Sequence, residues 1–202
     1  TVSEQLGIPP ESWDDYGKRE QTRREHLAEL QTVFGFTPFT ATHYRQAVHT
    51  LTDLALQTDK GILLANGLID GWRRQSIILP AINSIESICA EAITHANRRI
   101  YATLVSPLSA DHRQRLDALL QQKDGGKTTG LVWLRQSPAK PNSRHMVEHI
   151  RRLNAWQALD LPDGIGKQVH QNRLLKIARE GSQMTPADLG KFEPQRRYAT
   201  LV

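Results

Sequence analysis

The chain has 202 residues and a mass of 22.8 kDa, enough for one or two domains with a real core and too long for a disulfide-stapled mini-protein. Its apolar share of 39% and mean hydropathy of −0.50 come with no apolar run near the roughly 18 residues of a membrane-crossing helix. Net charge is +5, divided unevenly: residues 1–100 carry 10 basic and 12 acidic side chains, residues 101–202 carry 16 and 9. The single cysteine, Cys89, excludes an internal disulfide and a cysteine-based zinc site and points to a reducing, cytoplasmic setting. Only 12 residues are aromatic, and few stand among the cations, so a duplex backbone suits the positive half better than stacked single strands. A start at Thr1 without a leader and a stop inside Ala199-Thr200-Leu201-Val202 read as a fragment of a longer polypeptide.

Apolar residues recur at helical spacing and the punctuation is helix-cap chemistry. The expected fold is all-α: helical bundle subdomains with helix-turn-helix-like DNA-binding elements. Thr22-x-x-Glu25 forms a capping box before Leu27, Leu30, Val33 and Phe34, with Gly35 as the stop. A second helix follows Thr40. Asp59 caps a third carrying Ile62, Leu63, Leu68 and Ile69, ending before Pro80. Asn83-x-x-Glu86 opens the longest helix, whose stripe Ile85, Ile88, Cys89, Ala92, Ala96, Ile100 and Leu104 makes it the spine of the bundle. Ser109 starts a helix with Leu116, Leu119 and Leu120, and Lys123-Asp124-Gly125-Gly126-Lys127 breaks the pattern. This break divides a DNA-binding domain over 1–122 from a basic subdomain over 127–202. In the latter, Leu131 to Leu134 is a short helix or strand. Ser143 caps a helix with Met146, Ile150, Leu153 and Trp156 inward, and another near 165–180 closes at Gly181. Thr185-Pro186-x-Asp188 and Pro194 start the last two.

Cations at helix junctions are the candidate contacts to a duplex. Arg23-Arg24 after a Thr22 cap would sit where the helix dipole disfavours positive charge by about 0.3–1 kcal/mol each. Either Glu20, four residues before Arg24, neutralises it, or the turn grips a phosphate together with Arg19. Arg73 and Arg74 end one helix shortly before the next, as in a helix-turn-helix, or simply compensate a helix C-terminus. Between Lys123 and Arg152 seven cations face two carboxylates. Lys127, Thr128 and Thr129 beside the glycines, Arg135, and Lys140, Asn142, Ser143, Arg144 and His145 running into a helix start complete the candidate set.

Two other motifs compete. Gly126-Lys127-Thr128 imitates the end of a P-loop, but Gln121 stands where that motif needs glycine. His145-x-x-Glu148-His149 matches an inverted zinc-hydrolase pattern, opposed by Arg152 on the same face and needing a third ligand, for which Glu180 and Glu193 are the following glutamates. A helical protein-interaction or dimerisation module with an incidental basic face is the remaining alternative.

Taken together, Gln21 through Leu27 and on to Phe34-Gly35-Phe36, Leu54 through Gly61, Arg74 through Pro80, Ser137 through Met146, and His170 through Leu175 and on to Arg196 through Val202 resemble the transposases of the Tn-three family, the bacterial replicative, cointegrate-forming class. The match is collinear over essentially the whole chain, with departures at Gly71, Gly130 and Gly166. The resemblance implies an N-terminal, non-catalytic region that recognises the terminal inverted repeats of a transposon. It implies a separate RNase H-like catalytic domain whose three acidic residues bind magnesium, so that no cofactor belongs to this piece. Its partners would be double-stranded DNA, the rest of the transposase chain, and a second copy in a homodimer of the full-length protein. Arg23, Arg24, Lys140, Asn142, Ser143 and Arg144 fall inside the motifs that carry the resemblance.

Overall fold

Side-chain caps fix most of the helix starts. The computed structural model describes Glu4, Gln5, Gly7, Pro9, Ser12 and residues 20–122, 128–137 and 142–202. Among the described residues the elements are all helical: α1 (Glu20–Phe34), α2 (Ala41–Ala55), α3 (Gly61–Arg74), α4 (Ile82–Val105), α5 (Ala110–Leu120), α6 (Gly130–Leu134), α7 (Ser143–Gln157), α8 (Gln171–Gln183), α9 (Pro186–Gly190) and α10 (Pro194–Leu201). Thr40 and Ser109 close reciprocal capping boxes with His43 and His112, whose rings take the place usually held by glutamate. Thr129 and Thr185 cap α6 and α9 from their hydroxyls, and Pro186 occupies the first turn of α9. The segment 131–134, open between helix and strand in the sequence, is therefore helical.

Several expected starts move. Thr22 lies inside α1, so Arg23 and Arg24 are not in a turn capped by Thr22. Lys60 precedes α3 without a side-chain cap, because the Asp59 carboxylate is held by Lys176 and Arg173. Ala81, not Asn83, is the N-cap of α4, and Asn142, not Ser143, caps α7. The helix expected near 165 begins only at Gln171, after turns over 163–168, and it runs through Gly181 to Gln183.

Helices α2, α3 and α4 run up, down and up. Tyr44 reaches Glu91 and Asp53 reaches Arg99, so α2 and α4 are parallel, while Phe39 before α2 meets Trp72 at the end of α3 edge-on at 5.2 Å. Ala55, Ala92 and Ala96 are fully buried and let the α2 and α4 backbones come close. With Leu51, Leu64 and Ile88 they form the first core. The second core gathers Ile100 and Leu104 of α4 with Leu116, Leu131, Leu189, Tyr198 and Leu201. Helix α4 thus supplies both cores, as its stripe implies. The break at 123–127 lies outside the described residues; Leu116 before it and Leu131 after it share the second core.

Helices α1 and α7 bury no residue. Leu27, Leu30, Val33 and Phe34 are 49–69% exposed. Met146, Ile150, Leu153 and Trp156, expected inward, are 48–58% exposed. Each helix is amphipathic, but the described residues do not cover its apolar face.

Candidate nucleic-acid interface

Of the expected contacts, Arg19, Lys127 and Lys140 lie outside the described residues. On α1, Arg24 pairs with Glu20 at 2.5 Å, which is the charge compensation that the i, i+4 spacing allows. Arg23 is exposed beside it. At the end of α3, Arg73 is exposed, and Arg74 donates from Nε to the Asp70 carbonyl at 3.1 Å. The connection to α4 is pinned rather than open. Ser76 takes a φ of 53°, the Thr37 amide donates to the Ser76 carbonyl at 2.9 Å, and the Ile78 amide donates to the Thr37 carbonyl at 3.0 Å. Both helices bury their inner faces in the first core, and the expected helix-turn-helix-like elements are not confirmed.

In the second half, Thr128 is exposed and the Thr129 hydroxyl accepts from the Val132 amide. Arg135 is engaged within the fold: its guanidinium donates to the carbonyls of Gly181 at 2.7 Å and Met184 at 2.8 Å. It thereby satisfies the carbonyls that the end of α8 leaves open, and burial pulls its pKa below the ordinary value. At α7, Asn142 accepts from the His145 amide at 2.9 Å, Ser143 opens the helix, His145 is half-buried and Arg144 is exposed. Arg151 pairs with Glu148 at 3.6 Å and Arg152 donates to the Gln136 carbonyl. Among the described cations of 128–152, Arg144 alone has no partner in the fold.

The pairing extends through the rest of this half. Arg115 joins Asp111 at 2.5 Å, Arg197 joins Asp117 at 3.2 Å and Lys191 joins Asp188 at 2.9 Å. Arg173, 4% exposed, donates to Asn97 and pairs with Asp59 at 3.4 Å. Among the described residues, much of the local positive charge read from the sequence is answered by carboxylates and helix ends.

The zinc-hydrolase pattern on α7 does not assemble a site. Glu148 accepts from the Trp133 indole at 2.7 Å, which with Arg151 and Arg152 holds its carboxyl below the ordinary range. Among the described residues no three His, Cys, Asp or Glu side chains gather around a common point. His149 instead lines an apolar groove of about 740 Å³ with Leu104, Leu153, Trp156 and Ile177.

One basic feature has no counterpart among the expected residues. Between α2 and α4 a cleft of about 520 Å³ is lined by Arg45, His49, His95, Arg98 and Arg99. The signal was present as cation and imidazole pairs at i, i+4, Arg45 with His49 and His95 with Arg99. It was hidden by the net negative charge of residues 1–100.

The collinear motifs described above are matched along the whole chain by transposases of the Tn-three family. The chain is 75% identical over 201 residues to the transposase for transposon Tn3926 of Escherichia coli and 72% identical over 201 residues to that for transposon Tn21 of the same species. It is 56% identical over 200 residues to the transposase for transposon Tn501 of Pseudomonas aeruginosa. These alignments cover 99–100% of this chain and 20% of each relative, so the chain spans about a fifth of their length. Residues 1–92 also match a family model described as a domain of unknown function, DUF4158. Among the described residues no helix is long and apolar enough to cross a membrane.

Proposed function

We propose that this chain is the part of a transposase that binds double-stranded DNA at the transposon's terminal inverted repeats, while strand cleavage and joining, with their magnesium, belong to the rest of the polypeptide. The observation that carries the reading is identity to transposases along the whole chain. Its physical support is the start of α7, where exposed Arg144 adjoins first-turn amides suited to a phosphate. Arg23 and Arg73 are further exposed cations. Lys123, Lys127 and Lys140, read from the sequence, complete the set. Phosphate contacts of this kind position the chain, and base edges met by a helix in the major groove would give specificity.

The test is a gel shift comparing an inverted-repeat duplex with a scrambled one. If about four cations of 123–152 neutralise phosphates, log K against log salt falls with a slope of about −3.6 from that segment. Arg144→Ala lowers affinity for both duplexes and leaves the melting temperature unchanged. Affinity that ignores salt and sequence overturns the reading. A second reading, a helical interaction module, is favoured by the apolar faces of α1 and α7 that the described residues leave exposed, and a concentration-independent monomer in sedimentation would remove self-association from it.

A further inference from the structure

The cleft between α2 and α4 has an apolar floor and cationic walls. Val48 and Thr52, 6% and 7% exposed, form the floor, and Thr52 returns its hydroxyl to the Val48 carbonyl at 2.7 Å, so the floor offers a ligand nothing polar. Arg45 and His49 rise from α2, and His95, Arg98 and Arg99 from α4. Two cross-links hold the helices at fixed spacing. The Tyr44 hydroxyl donates to Glu91 at 2.9 Å at one end, and Arg99 donates to Asp53 at 2.7 Å at the other. Helix α2 packs on α4 over the first core, so the walls are preorganised by the best-packed part of the fold.

The wall cations are answered unequally. Arg99 has Asp53, as Arg24, Arg115, Arg151 and Arg197 elsewhere each have a carboxylate. Arg45 and Arg98, exposed on opposite walls, have no hydrogen-bond or ion-pair partner among the described residues. Two unanswered guanidiniums lining one groove form an arrangement that attracts a multiply charged anion, while His95 on the α4 wall stands 4.0 Å from Glu91. A phosphodiester backbone supplies successive phosphates along the groove, and neighbouring guanidiniums can each fork onto one.

We propose that the α2–α4 cleft is a second phosphate grip on duplex DNA, with Arg45 and Arg98 binding backbone phosphates and Glu91, which lines the cleft, opposing them. This rests on the DNA-binding reading above and adds to it a contact surface in the half of the chain whose net charge is negative.

The experiment measures binding of the 202-residue chain to a fluorescently labelled scrambled duplex across a salt series, because phosphate contacts are independent of sequence. The Arg45→Gln/Arg98→Gln variant is expected to lose on the order of tenfold in affinity per lost contact at 0.1 M salt and to flatten the log–log salt slope by about 1.8, at 0.9 per contact. Glu91→Gln is expected to tighten binding several-fold, an outcome that mere weakening of the fold cannot produce. Wild-type binding with an unchanged slope in the double variant and no gain in Glu91→Gln overturns the cleft while the Arg144-centred reading stands. A wild-type chain that binds no duplex at any salt overturns both.

Discussion

Gly181 lies where α8 passes closest to α10. A Cβ added there would stand 2.7 Å from Cγ2 of Thr200 and 3.1 Å from its carbonyl oxygen, closer than packed atoms tolerate. Alanine is favoured over glycine in a helix interior by about 1 kcal/mol, yet overpacking costs about 1–3 kcal/mol. Gly181→Ala is therefore expected to destabilise the fold in urea unfolding. Thr200→Ser, which removes the Cγ2 methyl but keeps the hydroxyl that donates to the Arg196 carbonyl, should recover part of the loss. Stability equal to or above wild type in Gly181→Ala would mean that α8 and α10 do not approach this closely. In the sequence this glycine reads as the end of a helix, because a packing glycine and a terminating one look alike until the neighbour is known. Arg135 is the same case with the opposite chemistry. Nothing in its sequence surroundings distinguishes an arginine aimed at a phosphate from one aimed at the carbonyls of Gly181 and Met184.

At the scale of elements, the periodic stripes were readable and their partners were not. Every residue of the α4 stripe is buried, because a long helix with a continuous apolar band has few ways to hide it except at the centre of a bundle. The stripes of α1 and α7 look the same in sequence but stay exposed, since periodicity marks a face and says nothing of what covers it. Asp59 is the clearest case. Its place before α3 predicts a cap, and instead it ties the α2–α3 junction to α8 through Lys176 and Arg173, a contact 117 residues away in sequence for Lys176. Burial pushes the Asp59 carboxyl up, but Lys176 and Arg173 outweigh it and leave its pKa below the ordinary 3.8. A carboxyl lower in the folded than in the unfolded chain adds stability above the unfolded value, and that stability is lost as pH falls through the folded one. Asp59→Asn is expected to cost about 3 kcal/mol at neutral pH, the lower end for orphaning a buried charge, because Asn97 still accepts from Arg173. The gap between variant and wild type should narrow as pH drops below about 4, where the unfolded carboxyl protonates. A gap that stays constant from pH 7 to pH 2 would show that the carboxylate charge does not hold this junction.

For the whole molecule, the uneven charge of the two halves was the most visible feature of the sequence and the least faithful guide to the surface. Ion pairs run between the halves, as Arg173 and Lys176 to Asp59 show, and counting charge by position cannot register them. The fold instead separates a packed body from two lightly held helices that carry exposed cations. Helix α4 serves both cores, whereas α1 with Arg23 and α7 with Arg144 hold no fully buried residue. Opening α4 must break both cores at once, so its amides should exchange with solvent only through global unfolding, while those of α1 and α7 open locally. Ile88→Ala removes a fully buried side chain of α4 at a cost of about 2–5 kcal/mol. In native-state hydrogen exchange it should speed the α4 amides by the same free energy, tenfold for each 1.4 kcal/mol or so, and leave α1 and α7 unchanged. Acceleration of α1 and α7 in step with α4 would show instead that all three helices unfold as one cooperative unit. The cations of α1 and α7 would then be held by the same body that holds the α2–α4 cleft.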